Sequence, residues 1–318
     1  MRPLTPLTQI RRRPVRSTGA HAWNAGALLM TSVLLSQLAC VRALVPSLLG
    51  QEGSLTSQVN AESPADHKNP LQGEPDADYG VVWVGDGATL TVRQIAGSGA
   101  VALEELSPQA TGLQLTGDSS LLGSSLWVEV LTSSGSVGWV NAWNLAELAP
   151  EGTLCADPRA SEVVDRLGAA VRNRDMAALS DLLPERRGLV MRLSPHAPEV
   201  IIPLGDVPQL LQNPAAFDWG PTSDTGEIVV GTFAEAVVPR LESVFGSAYE
   251  IACNQLLQGQ TARPAEMPME LRNLGYFSAY LPAQGSATGM DWQTWAVVIE
   301  YVGGEPRIGA LVRFQGEI

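Results

Sequence analysis

Between Leu126 and Leu145 the chain reads LWVEVLTSSGSVGWVNAWNL, two tryptophan-bearing runs on either side of a Ser/Gly turn. Apolar and polar residues alternate on both sides of that turn, a period that suits two half-buried strands. Ser133-Ser134-Gly135-Ser136 joins them as a hairpin, and Asn141 to Leu145 forms a short closing turn. A lone hairpin is marginal in water and must find further strands. They lie upstream. Val81 to Val84 and Ala88 to Arg93 flank Gly85-Asp86-Gly87; a loop with Gly97-Ser98-Gly99 leads to Val101 to Leu103; and Gly112 to Gly117 alternates again. Five short strands predict a small closed or partly open β-barrel.

With 318 residues there is chain for about two domains, and 45% apolar composition suffices to bury cores in both. Charge is unevenly placed. The first 39 residues hold five arginines and no acid, which leaves 15 basic against 33 acidic side chains in the rest. Such a body repels phosphate backbones and anionic lipid or polymer, so no nucleic-acid partner is expected. Three His and three Cys occur without CxxC or HxxxH spacing, so neither a metal site nor a cofactor is expected.

Arg11 to Arg16 followed by the apolar run Ala25 to Ala39 has the form of an export signal over residues 1–40. Its end, Leu38-Ala39-Cys40, resembles a bacterial lipobox, with Gln37 at a position where that pattern prefers Leu. The resemblance implies a lipidated Cys40; the alternative is an uncleaved signal anchor. Either places the remainder outside the cytoplasm on a membrane. Residues 41–77, polar and punctuated by Pro64, Pro70 and Pro75, read as a flexible tether, with His67 a solvated side chain in it.

Residues 78–148 resemble the bacterial Src-homology-3-like domain. The resemblance lies in Leu90-Thr91-Val92-Arg93, the Gly97-Ser98-Gly99 loop (Ser where the family has Pro), Trp127 with Val130, and Gly138-Trp139-Val140 with Leu145. It implies an extracytoplasmic module that contacts cell-wall peptides or a protein partner. Trp127 and Trp139 are expected to place at least one indole in the core, which leaves Trp143 in the closing turn as the candidate contact aromatic.

After the linker Leu148 to Gly152, residues 153–318 predict a second fold. Asp157-Pro158 opens a helix carrying Val163, Val164, Leu167, Ala170 and Val171, and Asp175 caps another that ends at Pro184. Strands follow at 188–193 and 200–204. Phe217 to Gly220 leads into a polar loop, Ile228 to Val230 is a strand, and Thr232 caps a helix through Phe245. Further strands are expected at 249–257 and 276–281, then a hairpin from Trp295 to Phe314 around Gly303-Gly304. The expected class is mixed β and α+β: a small SH3-like barrel, then an α+β domain with a curved antiparallel sheet packed on helices. The start of this part resembles nuclear-transport-factor-2-like domains. The whole of it resembles the C-terminal domain of uncharacterised bacterial lipoproteins, on Asp218-Trp219-Gly220, Thr232 to Glu235, Met290-Asp291-Trp292 and Ile318.

Cys155 and Cys253, the two remaining thiols of an exported chain, are expected to form a disulfide. Asp218, Asp224, Glu235 and Asp291 are read either as members of a pocket with Trp219 and Trp292, suited to sugars or cations, or as capping and turn residues. Asp224-Thr225-Gly226 lacks the spacing of a calcium loop. Ser194 and His196 have no orienting acid and adjacent spacing, so no catalytic residue is assigned. The expectation is a membrane-tethered binding or adaptor protein for peptidoglycan or an envelope protein. The alternatives are a wall or glycan hydrolase with its active site in the C-terminal cleft, and a small-molecule-binding accessory or sensor.

Overall fold

A computed structural model describes residues 77–150, 152–222, 225–286 and 288–316. Cys40, the tether through residue 76, Asp224 and Ile318 lie outside the described residues. Helix and sheet are mixed. The first strands are β1 (Tyr79–Val81), β2 (Leu90–Arg93), β3 (Ala102–Leu106), β4 (Gln114–Leu122), β5 (Ser125–Leu131) and β6 (Val137–Asn141). A 3-10 turn (Ala142–Asn144) then leads to β7 (Leu145–Glu147).

Five of these strands form an antiparallel sheet in the order β3-β2-β6-β5-β4. Leu90, Val92, Val128, Val130 and Val140 turn inward and pack on Tyr79, Val81, Leu113 and Leu145. Gly138 shares that inner face because nothing larger fits: a Cβ there would stand 2.7 Å from both the Arg93 carbonyl and Val92 Cγ1. The alternation puts Trp127 and Trp139 on the opposite face, at Trp127↔Asn141 and Glu129↔Trp139. Trp127 is buried and Trp139 half-buried, yet neither belongs to the small sheet's apolar cluster.

The chain continues through α1 (Pro158–Asn173), α2 (Met176–Ser180), β8 (Leu189–Arg192), β9 (Val200–Ile202), β10 (Phe217–Pro221), β11 (Ile228–Gly231), α3 (Phe233–Ala236) and α4 (Val238–Phe245). It ends with β12 (Glu250–Cys253), β13 (Gly275–Leu281), β14 (Gln293–Val302) and β15 (Glu305–Gln315). Asp157 and Asp175 cap α1 and α2 by accepting from the backbone N–H groups of Arg159 and Ala178. Thr232 and Glu235 form a reciprocal capping box on α3.

Among the described residues the larger sheet has eight strands, with β1-β7-β14-β15-β8-β9 as its main path, β13 beside β14 and β12 beside β13. Along β14, Trp295, Val297, Ile299 and Tyr301 enter the helix-covered core. Ala296 and Val298 enter a second core on the other face, with Trp292, Leu271, Leu274, Val82 and Ala146. The two regions delimited as 78–148 and 153–318 therefore share a sheet. β13 pairs with β14 as far as Ile299, and Glu147 of β7 pairs with Tyr301 beyond it.

Four local readings change. The large sheet is mixed, not antiparallel, because β8 lies parallel to β15; the long chain segment between them supplies the crossover such a pair needs. The strand expected over Val81 to Val84 is Tyr79–Val81, since Trp83 takes φ +58° and Val82 turns into the second core. The helix from Thr232 to Phe245 divides at Val237, with Pro239 in the first turn of its second part, where a missing N–H costs least. Phe217 to Pro221 is itself a strand, hydrogen-bonded to β11.

Candidate binding site

A charged seam joins the small sheet to the large one. Glu300 of β14 lies on the same side of its strand as Ala296 and Val298 and has no exposed surface. Room for it comes from Gly309 across the hairpin, where an added Cβ would crowd the Glu300 Cβ and Cγ at 3.4 and 3.3 Å. Arg187 meets it from the turn after α2: Nε donates to Glu300 Oε2 at 2.7 Å. The same guanidinium donates to the Trp143 and Leu145 carbonyls, each at 2.6 Å. It also faces two indoles, Trp143 at 5.0 Å and Trp83 at 5.9 Å from the ring centroids.

Arg186, beside it, donates to the Ala142 carbonyl and, at 2.9 Å, to that of Leu145. Its Nη2 stands 3.7 Å from Glu300 Oε1, with one tenth of the side chain exposed. Two guanidiniums thus cap carbonyls of the Ala142–Asn144 turn and β7, the Ala142 carbonyl also accepting from the Leu145 backbone N–H. Burial lowers both from the ordinary arginine value. For Arg186, burial and then the Arg187 charge push it down to about 9, so it is cationic at neutral pH. The seam holds two cations and one carboxylate.

Two concavities are relevant to binding, and the smaller one is walled by seam residues. The smaller, about 260 Å³, is lined by Ser124, Ser125, Asn141, Trp143 and Arg186. The Asn141 side chain accepts from the Trp143 backbone N–H and fixes the start of the turn that presents the indole. The larger, a cleft of about 830 Å³, is lined by Asp78, Glu147, Pro150, Asp157, Arg159 and Tyr301 among others. There the Tyr301 hydroxyl donates to Asp157 Oδ2 at 2.9 Å. The Arg159 hydrogen bond holds the Asp157 carboxyl below its usual range, while burial, then Asp157, push the Tyr301 phenol up. Glu147 accepts from Gly303 and Gly304 at 2.8 and 2.9 Å, tying β7 to the β14–β15 turn.

The residues expected to share a pocket are placed apart. Trp219 is fully buried in the helix-side core, beside Phe217 and Phe233, and donates to the Gly231 carbonyl. Trp292 is fully buried in the opposite core, and its indole donates to the Gln260 carbonyl. With a sheet between them, they do not line one cleft. Asp218 accepts from the Gly220 N–H two residues on. Asp291 accepts from Gln284 N and from the Ser286 hydroxyl at 2.6 Å, and that hydroxyl holds its carboxyl low. Both therefore organise turns, and Glu235 caps a helix. Ser194 is buried and His196 exposed, and no hydrogen bond pairs them. No group of three or more His, Cys, Asp or Glu suited to a metal occurs among the described residues.

Trp143, by contrast, borders a concavity. It is half-buried against Arg187 and forms a wall of the smaller hollow. Cys155 and Cys253 are bonded, with S–S 2.04 Å and Cα–Cα 5.6 Å, linking the start of the helical part to β12. Arg186, Arg187 and Glu300 escaped sequence reasoning. Their one signal was Glu300 itself, a single acid within the run Trp295 to Val302, where both faces are otherwise apolar or aromatic.

The chain matches no family model, no curated protein and no solved structure.

Proposed function

We propose that this is an extracytoplasmic binding protein, held on a membrane through a lipid at Cys40 or an uncleaved signal anchor, that recognises a cell-wall peptide or an envelope protein. The observation that carries the address is the Cys155–Cys253 disulfide, because such bonds persist in oxidising compartments. An export-type N-terminus precedes it, and among the described residues no helix is long and apolar enough to cross a membrane. The recognition element in this reading is an SH3-like barrel made by the five-stranded sheet with β1 and β7. It is followed by an α+β domain that buttresses the closing turn through Arg186 and Arg187. The hollow beside Trp143 favours recognition over catalysis, since an aromatic, a cation and short hydroxyls gather there without a nucleophile–base pair.

The address is tested by the intact mass of the chain isolated from membranes. A mature N-terminus at Cys40 bearing a lipid, or a retained hydrophobic anchor, supports it, provided iodoacetamide labels Cys155 and Cys253 only after reduction. A chain found only in the cytoplasmic fraction with both thiols free overturns it.

A further inference from the structure

The charges of the seam do not balance. Arg186 and Arg187 share Glu300, the one carboxylate paired with Arg186 among the described residues. Glu300 gives its hydrogen bond to Arg187; its Oε1 has no hydrogen-bond partner and stands 3.7 Å from Arg186. A guanidinium has five N–H groups, and Arg186 directs two of them to the Ala142 and Leu145 carbonyls. A largely buried cation with an incomplete counter-charge is costly, and an anion placed against it recovers that cost. Arg186 also lines the hollow of about 260 Å³.

The other walls narrow the anion. Ser124 and Ser125 supply hydroxyls, Asn141 an amide and Trp143 an apolar face. The space holds one or two small residues, too little for a folded partner or a polymer segment. The acidic body disfavours ligands with several negative charges, as phosphorylated chains and nucleic acids have. A single carboxylate next to a small aliphatic side chain satisfies every wall: the guanidinium fork takes the two oxygens, and the methyl group rests on the indole.

We infer that the hollow between Trp143 and Arg186 is a binding site for the C-terminal carboxylate of a short peptide, with the guanidinium reading the carboxylate and the indole reading the last side chain. The site combines the small sheet's closing turn with an arginine from the helical part, so neither region contains it alone. The inference names the ligand end for the wall-peptide reading of the previous section and rests on that reading for its biological source.

The test is a 1H–15N titration of the full chain in detergent with N-acetyl-D-Ala-D-Ala, repeated with N-acetyl-L-Ala-L-Ala and with the C-terminal amides of both. The acids are expected to move the Trp143 indole, Ser125 and Asn141 resonances saturably, and the amides to bind at least tenfold more weakly. Because Arg186→Lys also loosens the turn, a second variant, Ser124→Leu, fills the hollow from an exposed position and is expected to abolish the shifts while leaving the remaining spectrum in place. Equal effects of acid and amide, or unchanged binding to Ser124→Leu, overturn the inference. A preference for the D-peptide assigns the source to wall peptides, and a preference for the L-peptide to protein C-termini. Retention on purified sacculi that Ser124→Leu leaves intact sinks the site but spares the wall reading; saturable binding of the L-peptide without retention keeps the site and sinks the wall reading.

Discussion

Arg187 and Glu300 meet at 2.7 Å with neither side chain exposed, one from the turn after α2 and the other from the middle of β14. The same guanidinium holds the Trp143 and Leu145 carbonyls, so a single side chain fixes the closing turn of the small sheet to the large one. Buried ion pairs owe much of their effect to what happens when one partner is lost. Arg187→Met is expected to cost about 3–5 kcal/mol in urea unfolding, because it leaves Glu300 only the more distant Arg186, frees the Trp143 carbonyl and takes one of two donors from that of Leu145. Glu300→Leu combined with Arg187→Met is expected to cost less than the sum of the singles. Additive losses in the double-mutant cycle contradict the pairing.

Gly188 makes that approach feasible. It adopts φ +66°, and a Cβ there would collide with the Ile202 carbonyl and stand 2.8 Å from Leu204 N. Gly188→Ala is therefore expected to destabilise by more than the ~1 kcal/mol of a simple left-handed penalty, and to broaden the Trp143 and Trp83 indole resonances. An unchanged midpoint in urea excludes the collision.

The disulfide spans a sequence separation of 98 residues. In the chain-entropy model a loop of that size contributes up to about 4–5 kcal/mol. Cys155→Ser/Cys253→Ser is expected to unfold at clearly lower denaturant, with reduced wild-type protein matching the double variant. Coincident curves for oxidised and reduced wild type contradict a native bond.

Asp157 links helix and sheet through its α1 cap and the Tyr301 hydroxyl. Its folded-state pKa lies below the ordinary value, chiefly from the Arg159 hydrogen bond. The unfolded state therefore takes up a proton first as pH falls. The associated stability is present above about pH 4, the ordinary Asp value, and is lost as pH drops through the folded pKa. Asp157→Asn keeps a capping oxygen but no charge, so its stability is expected to fall less steeply below that pH. Parallel acid limbs in thermal melts at several pH values exclude this role.

Much of the element order was legible because each strand or helix carries its own period and stop signal. Asp157-Pro158, Thr232 with Glu235, and Gly303-Gly304 all appear where their chemistry places them. The disulfide was legible from compartment and count. What local pattern does not encode is which elements meet. β7 beside β14, β8 parallel to β15, and Trp219 and Trp292 on opposite faces all follow from long-range pairing. The pocket drawn from Asp218, Asp224, Glu235, Asp291, Trp219 and Trp292 does not assemble among the described residues for that reason: the two tryptophans are core side chains, Asp218 and Asp291 fasten turns, and Glu235 caps a helix. The arginine seam was hidden in the same way, since nothing local to Arg186-Arg187 points to Glu300, 113 residues further on.

The central proposal is that this chain recognises wall peptide, with an envelope protein as the alternative partner, and does not cut it. Co-sedimentation of the full chain, purified in detergent, with peptidoglycan sacculi tests both halves, with the supernatant assayed for released fragments. The account predicts saturable retention, weakened by free N-acetyl-D-Ala-D-Ala, and no soluble muropeptides. Released fragments would make the protein a hydrolase, and absence of retention would contradict wall recognition outright.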